Sequence, residues 1–207
     1  MKNHISAGRL SVPAVLLFSA LAFFAAASPA SALDVAGVNY RPVTTVQGVS
    51  LQLNGAGVRQ MAATPLYTAG LYLEQKASTT QGVLQAKGAK QVRVVMLRET
   101  DGKEMGDLLA KGLVGNSSDE ELANLIPEIM ELGTLIAERG KLRAGDSFQI
   151  DWNAAGGTTI SVIQRGSRKP AIEVFAKPDL IGAMMRMWIG EHPADPALKA
   201  ALLGQGV

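Results

Sequence analysis

The clearest periodic signal in the chain is the run Lys90–Arg98, KQVRVVMLR. Val92, Val94 and Met96 fall on one face, and Arg93, Val95 and Leu97 on the other. Side chains alternate across a strand, so this pattern predicts a strand with one face in a core. Val43–Leu53 alternates more weakly and also predicts strands. Leu66–Leu73 is apolar at most positions and predicts a strand covered on both faces. A short helix is expected over TTQGVLQAK, after Ser78.

From Asp101 the period lengthens to that of a helix, with Met105, Leu108, Leu109 and Leu113 on one side. A second helix is expected over Ser118–Arg139. Ser118 can accept from the first turn, and Glu121, three residues on, can close a capping box; Asp119 and Glu120 suit the positive end of the dipole. Its apolar stripe reads Leu122, Leu125, Ile126, Ile129, Leu132 and Ile136. Pro127 lies inside the stripe and should kink the helix because it has no N–H for the carbonyl of Ala123. Gly140 marks its end.

A hairpin follows: DSFQIDW, a turn at NAAGG, then TTISVIQ. The basic RGSRK segment (Arg165–Lys169) reads as a solvated hairpin tip before a strand at Ala171–Phe175. Two helices close the chain, Pro178–Ile189 before Gly190 and Pro196–Leu203 before Gly204. Strands joined by hairpins, with no repeated strand–helix–strand unit, predict an α+β fold: a mainly antiparallel sheet covered by helices on one side.

The N-terminal end changes this picture. Lys2 and Arg9 precede the apolar run LSVPAVLLFSALAFFAAA, and Ala30-Ser31-Ala32 has the small-x-small form of a signal peptidase site. Residues 1–32 are therefore expected to be a signal peptide and 33–207 a single domain, placed in the periplasm or secreted, with no membrane span left after cleavage. Retention as an anchor is the rival reading, but Pro13 and Ser19 interrupt the run and its far end is only alanine-rich. Cleavage would remove two basic residues and no acidic one, taking the formal net charge from +2 to zero. A neutral domain without a long basic run offers nucleic acid no electrostatic footing.

Composition also narrows the chemistry. Cysteine is absent, which removes disulfides, thiolate nucleophiles and thiolate metal ligands. After cleavage His192 is the only histidine, and its setting in GEHPAD, a proline-flanked turn, is poor for a triad base. One imidazole cannot build a histidine zinc site. No metal and no cofactor is expected.

Against that background one segment stands out, LQLNGAGVRQMAATPLYTAGLYLEQ (Leu51–Gln75). Gly55-Ala56-Gly57 begins a dinucleotide fingerprint, but Gln60 occupies the third glycine position and a strand follows where the phosphate needs a helix. The glycines are instead expected to form a bend or bulge at a strand end, allowing close backbone approach. Arg59 then remains as a permanent charge at the mouth of an apolar strand.

These residues carry a family resemblance. LNGAGVR, LYTAGLYLE and the terminal MMRMWIGEHPADPALKAALLG resemble motifs of the chalcone isomerase family, in particular its exported bacterial branch, over about Val46–Gly204. The resemblance implies an open-faced β-sandwich, a large antiparallel sheet bearing a layer of helices, with a ligand cleft between them. It also implies two activities. The plant enzymes cyclise a chalcone without cofactor, with an arginine polarising the groups that gain charge; Arg59 matches that arginine. Tyr67 stands at their catalytic threonine, with Thr68 on the opposite face of the strand, and Met187 replaces a substrate-contacting hydroxyl. Their helix tyrosine has no counterpart, and Asn116 matches their asparagine when the helix is aligned from its end. Non-enzymatic relatives instead grip a fatty acid in the same cleft.

The changed positions favour the second activity: a non-catalytic binder of a small amphipathic carboxylate such as a fatty acid, using Arg59, Tyr67, Asn116 and Met187. Met105, Leu109, Met184 and Met187 would suit a flexible chain as well as an ordinary core. The alternatives are a cofactor-free isomerase acting through Arg59, and a structural or partner-binding domain. The last would have Arg59 neutralised internally, by Glu74 or Asp107.

Overall fold

The computed structural model describes residues 32–167 and 169–206; nearly all of the expected leader lies outside them. The chain runs β1 (Leu33–Val35), β2 (Val38–Tyr40), β3 (Val43–Val46), β4 (Val49–Met61), β5 (Thr64–Leu73), α1 (Thr80–Gln85), β6 (Lys90–Met96), β7 (Thr100–Asp101) and α2 (Gly102–Val114). It continues with α3 (Asp119–Ala137), β8 (Lys141–Leu142), β9 (Ser147–Trp152), β10 (Thr158–Ile163), β11 (Ala171–Phe175), α4 (Pro178–Ile189) and α5 (Pro196–Leu202).

Seven strands form one sheet in the order β11-β10-β9-β6-β5-β4-β3, and every neighbouring pair is antiparallel. Helices α2, α3, α4 and α5 contribute to one continuous core with the inner face of this sheet. Val92, Val94 and Met96 of β6 all point into it. The other face carries a smaller cluster, Tyr40, Val46, Leu51, Tyr72 and Ala89. This is the expected α+β open-faced sandwich. The β1–β2 hairpin, for which the pattern gave no expectation, supplies Tyr40 to the outer cluster.

The two glycines of GAGVR lie inside a 13-residue strand, not at a strand end. The bulge is one residue earlier, where the register shifts between Leu53 and Gly55. Close approach is their main role. A methyl group on Gly55 would overlap the carbonyl oxygen of Ala201, and one on Gly57 would lie 2.6 Å from the Ala201 Cβ. Helix α5 thus rests directly on β4, and only hydrogen side chains leave room for its backbone.

Helix α3 keeps its N-cap, with Ser118 Oγ accepting from the Glu121 N–H at 3.2 Å. The capping box is not closed. The Glu121 carboxylate is drawn to Arg186 Nη2 on α4, at 2.5 Å, because a charge-assisted bond outcompetes a bond to a neutral amide. The expected stripe holds at Leu122, Leu125, Ile129, Leu132 and Ile136, but Leu135 replaces Ile126 in it. Leu125, Leu132, Leu135 and Ile136 are buried, whereas Ile126 is 52% exposed. At about 100° per residue Ile126 lies off the axis of that face. The helix runs on through Pro127. Arg165, Gly166 and Ser167 are exposed, in keeping with a solvated tip.

Candidate functional site

Arg59 and Tyr67 are partners across the β4–β5 ladder, so both side chains lie on the inner face of the sheet. The ladder slips again between Arg59 and Gln60, which releases the Gln60 amide, and Asp195 Oδ2 accepts it at 2.8 Å. The other oxygen of the same buried carboxylate caps α5, accepting from Ala197 N–H at 2.8 Å and Leu198 N–H at 3.1 Å. One side chain therefore pins the end of β4 beside the start of α5, and the position of Arg59 follows from that pin.

The guanidinium Nη1 donates to the Tyr67 hydroxyl at 3.2 Å, and the guanidinium carbon lies 5.4 Å from the Tyr67 ring centroid. Trp188 Nε1, from α4, donates to the same hydroxyl at 3.0 Å. Arg59 Nε is buried and has no partner. Among the described residues no carboxylate comes within 4.0 Å of the Arg59 guanidinium. Glu74 accepts from the Ala89 amide at 2.7 Å and Asp107 pairs with Lys103 at 2.8 Å, so neither neutralises it.

Beyond this polar head opens a narrow, otherwise apolar cleft with a cavity volume of about 70 Å³. Its floor crosses the sheet from Arg59 on β4 through Val94 on β6 to Ile160 on β10. Four inter-strand steps make this roughly 19 Å. Its roof comes from α2, α3 and α4, and includes Met105, Leu109, Met184 and Met187. The only hydroxyl on the described lining is that of Tyr67.

The structure thus brings together Arg59, Tyr67 and Met187. Asn116 stands apart from the lining. Its amide nitrogen donates to the carbonyls of Gly112 and His192, at 3.0 and 2.8 Å, and its oxygen accepts from the His192 N–H at 3.1 Å. It ties the end of α2 to the turn after α4, and both of its amide N–H donors are engaged there. Thr68 is on the opposite face of β5, where its hydroxyl accepts from Tyr40 at 2.8 Å. Trp188 and Ala194 line the cleft without having been expected there. Trp188 stands one residue after Met187 in the terminal motif, but an indole at helical spacing carries no local sign of a hydrogen bond. Among the described residues no group of three His, Asp or Glu could hold a metal, and no helix is long and apolar enough to cross a membrane.

An antiparallel sheet, its helical layer and an internal cleft between the two define the class: an open-faced β-sandwich with an internal cleft. Within it, the chain belongs to the chalcone isomerase-like family, whose model matches residues 32–204. The crystal structure of a fatty-acid binding protein from Arabidopsis thaliana has a similar fold, with a TM-score of 0.60 at 10% sequence identity. The match covers 81% of this chain and 92% of that one. At this identity the likeness concerns the fold. No curated protein sequence matches the chain.

Proposed function

We propose that this protein is a non-catalytic binder of a small amphipathic carboxylate such as a fatty acid, held by Arg59 and Tyr67 at the head of the cleft. The single observation that carries this is Arg59. Its Nε is buried without a partner at the end of an apolar cleft, and no carboxylate of the described chain faces it. The guanidinium is half-buried, so part of its hydration is lost and an opposite charge beside it is favoured. A ligand carboxylate would pair it through parallel N–H donors, and the acyl chain would cover the apolar walls, where the methionines can adapt to its shape. The similar fold of a protein described as a fatty-acid binding protein supports the reading.

The lining argues against isomerase chemistry. Apart from Arg59 and Tyr67 it offers aliphatic and aromatic surface, with Met187 where the active enzymes place a hydroxyl. We place the protein in the periplasm or outside the cell, with residues 1–32 removed, on the strength of Ala30-Ser31-Ala32 after the apolar run. The test is calorimetric titration of delipidated residues 33–207 with a long-chain fatty acid, alongside incubation with a chalcone. Saturable one-site fatty-acid binding without flavanone formation is expected. Absence of binding, or stereoselective flavanone formation that Arg59→Ala abolishes, overturns the proposal.

A further inference from the structure

Two N–H groups converge on one phenol oxygen at the head of the cleft. Arg59 Nη1 donates to the Tyr67 hydroxyl at 3.2 Å and Trp188 Nε1 at 3.0 Å. An indole nitrogen and a guanidinium can only donate, so towards both of them the Tyr67 oxygen can only accept. Its own proton must point elsewhere. Tyr67 and Trp188 are both buried and both line the cleft, and among the described residues nothing accepts that proton.

We propose that Trp188 is a positioning residue which turns the Tyr67 hydroxyl into a donor facing the cleft. Resting on the binding role proposed above, this narrows the ligand class. The head of the cleft then presents donors alone, the Arg59 guanidinium and the Tyr67 O–H. An ionised carboxylate, which only accepts, satisfies both. A primary alcohol must bury a proton with nothing to receive it, and an unpaired buried donor is penalised. Arg59 attracts any anion by charge; Trp188 acts separately, by denying the alcohol the one oxygen that could accept from it. In its absence the Tyr67 hydroxyl is free to rotate and take the alcohol's proton.

The experiment compares dodecanoate with 1-dodecanol, by equilibrium dialysis, on wild type, Trp188→Phe, Tyr67→Phe and the double variant. The acid-to-alcohol affinity ratio is the readout, because a loss of packing alone would weaken both ligands together. Wild type is expected to prefer the acid by at least about 30-fold, and Trp188→Phe to lower that preference by about five- to tenfold, the scale of one hydrogen bond to a charged group. In the Tyr67→Phe background, Trp188→Phe should change the ratio no further, which is the signature of an effect passed through the hydroxyl.

An unchanged ratio in Trp188→Phe, with wild type binding dodecanoate, overturns this inference and leaves the binding role standing. Failure of wild type to bind dodecanoate overturns both. Should Trp188→Phe not fold, Tyr67→Phe decides alone. Acid affinity falling clearly further than alcohol affinity supports a hydroxyl that donates to the ligand, because the bond to the ionised group is the stronger. Alcohol affinity falling as far as acid affinity refutes it.

Discussion

Arg59 and Tyr67 face each other across β4 and β5, joined by a 3.2 Å hydrogen bond, at the position where the ladder between the two strands slips. The slip frees the next amide for Asp195 on the approach to α5, so the cationic head of the cleft and the C-terminal helix are set by one backbone irregularity. Bulges re-aim side chains and end pairing, and here both happen within two residues.

Removing the guanidinium should separate binding from folding. Arg59→Ala is expected to weaken fatty-acid binding by about 2–5 kcal/mol, the cost of breaking one partner from a buried charge pair. Arg59→Lys should also bind more weakly, because a point charge lacks the planar fork. Arg59→Met should hold or raise the stability of the ligand-free protein by about 1 kcal/mol, since it removes a buried unpartnered donor. Titration calorimetry and urea denaturation of the same three variants read the two effects separately; equal affinity in Arg59→Ala and wild type would show that the charge does not hold the ligand.

Glycine at position 55 should be irreplaceable for a reason outside its own strand. Gly55→Ala sets a methyl group against the backbone carbonyl of Ala201, which cannot swing aside as a side chain could. We expect a loss of about 2–3 kcal/mol, or detachment of α5. Urea denaturation gives the loss, and amide exchange in α5 locates it. Wild-type stability in Gly55→Ala would mean that α5 does not sit as described.

The turn between β4 and β5 stores strain that can be released. Ala62 and Ala63 have φ of 48° and 63°, left-handed values that cost an L-residue with a Cβ about 1–2 kcal/mol. Both being positive is the requirement of a type I′ hairpin, for which Asn-Gly is the favoured pair. Ala62→Asn with Ala63→Gly should therefore stabilise the protein by about 1–2 kcal/mol and raise its Tm. A Tm at or below that of wild type would count against this turn geometry.

Tyr40 should limit stability in strong alkali. Burial pushes its phenol from 10.0 up to about 12, against smaller opposing effects from the Thr68 hydrogen bond and the Arg93 charge. Between those values the unfolded chain has lost the proton and the folded one retains it, so stability falls as pH rises from about 10 to about 12. The full effect is about 2–3 kcal/mol and is complete once the folded-state phenol has also ionised. Below pH 10 the term is constant. Denaturation curves of wild type and Tyr40→Phe should diverge in slope only in that window; parallel curves would exclude Tyr40 as the titrating group.

The sequence by itself determined what depends on neighbours along the chain. The alternation of Val92, Val94 and Met96 set the inner face of β6, and Ser118 started α3. The arginine after the glycines, ahead of an apolar strand, marked Arg59, and the family resemblance marked Tyr67; the hairpin that brings these residues, 8 apart in sequence, face to face is seen in the structure. Tertiary structure decided everything that required a distant partner. Glu121 left its capping box for an arginine 65 residues on, and Asn116 spent its amide on a turn 76 residues away, outside the cleft. The glycines of β4 answer to Ala201, and the hydroxyl of Tyr67 is oriented by an indole 121 residues beyond it. Periodicity and capping are short-range and leave their mark in a window of a few residues. The direction of a proton and the fit of a helix against a strand are set by contacts that exist only when the sheet and its helical layer have closed on each other.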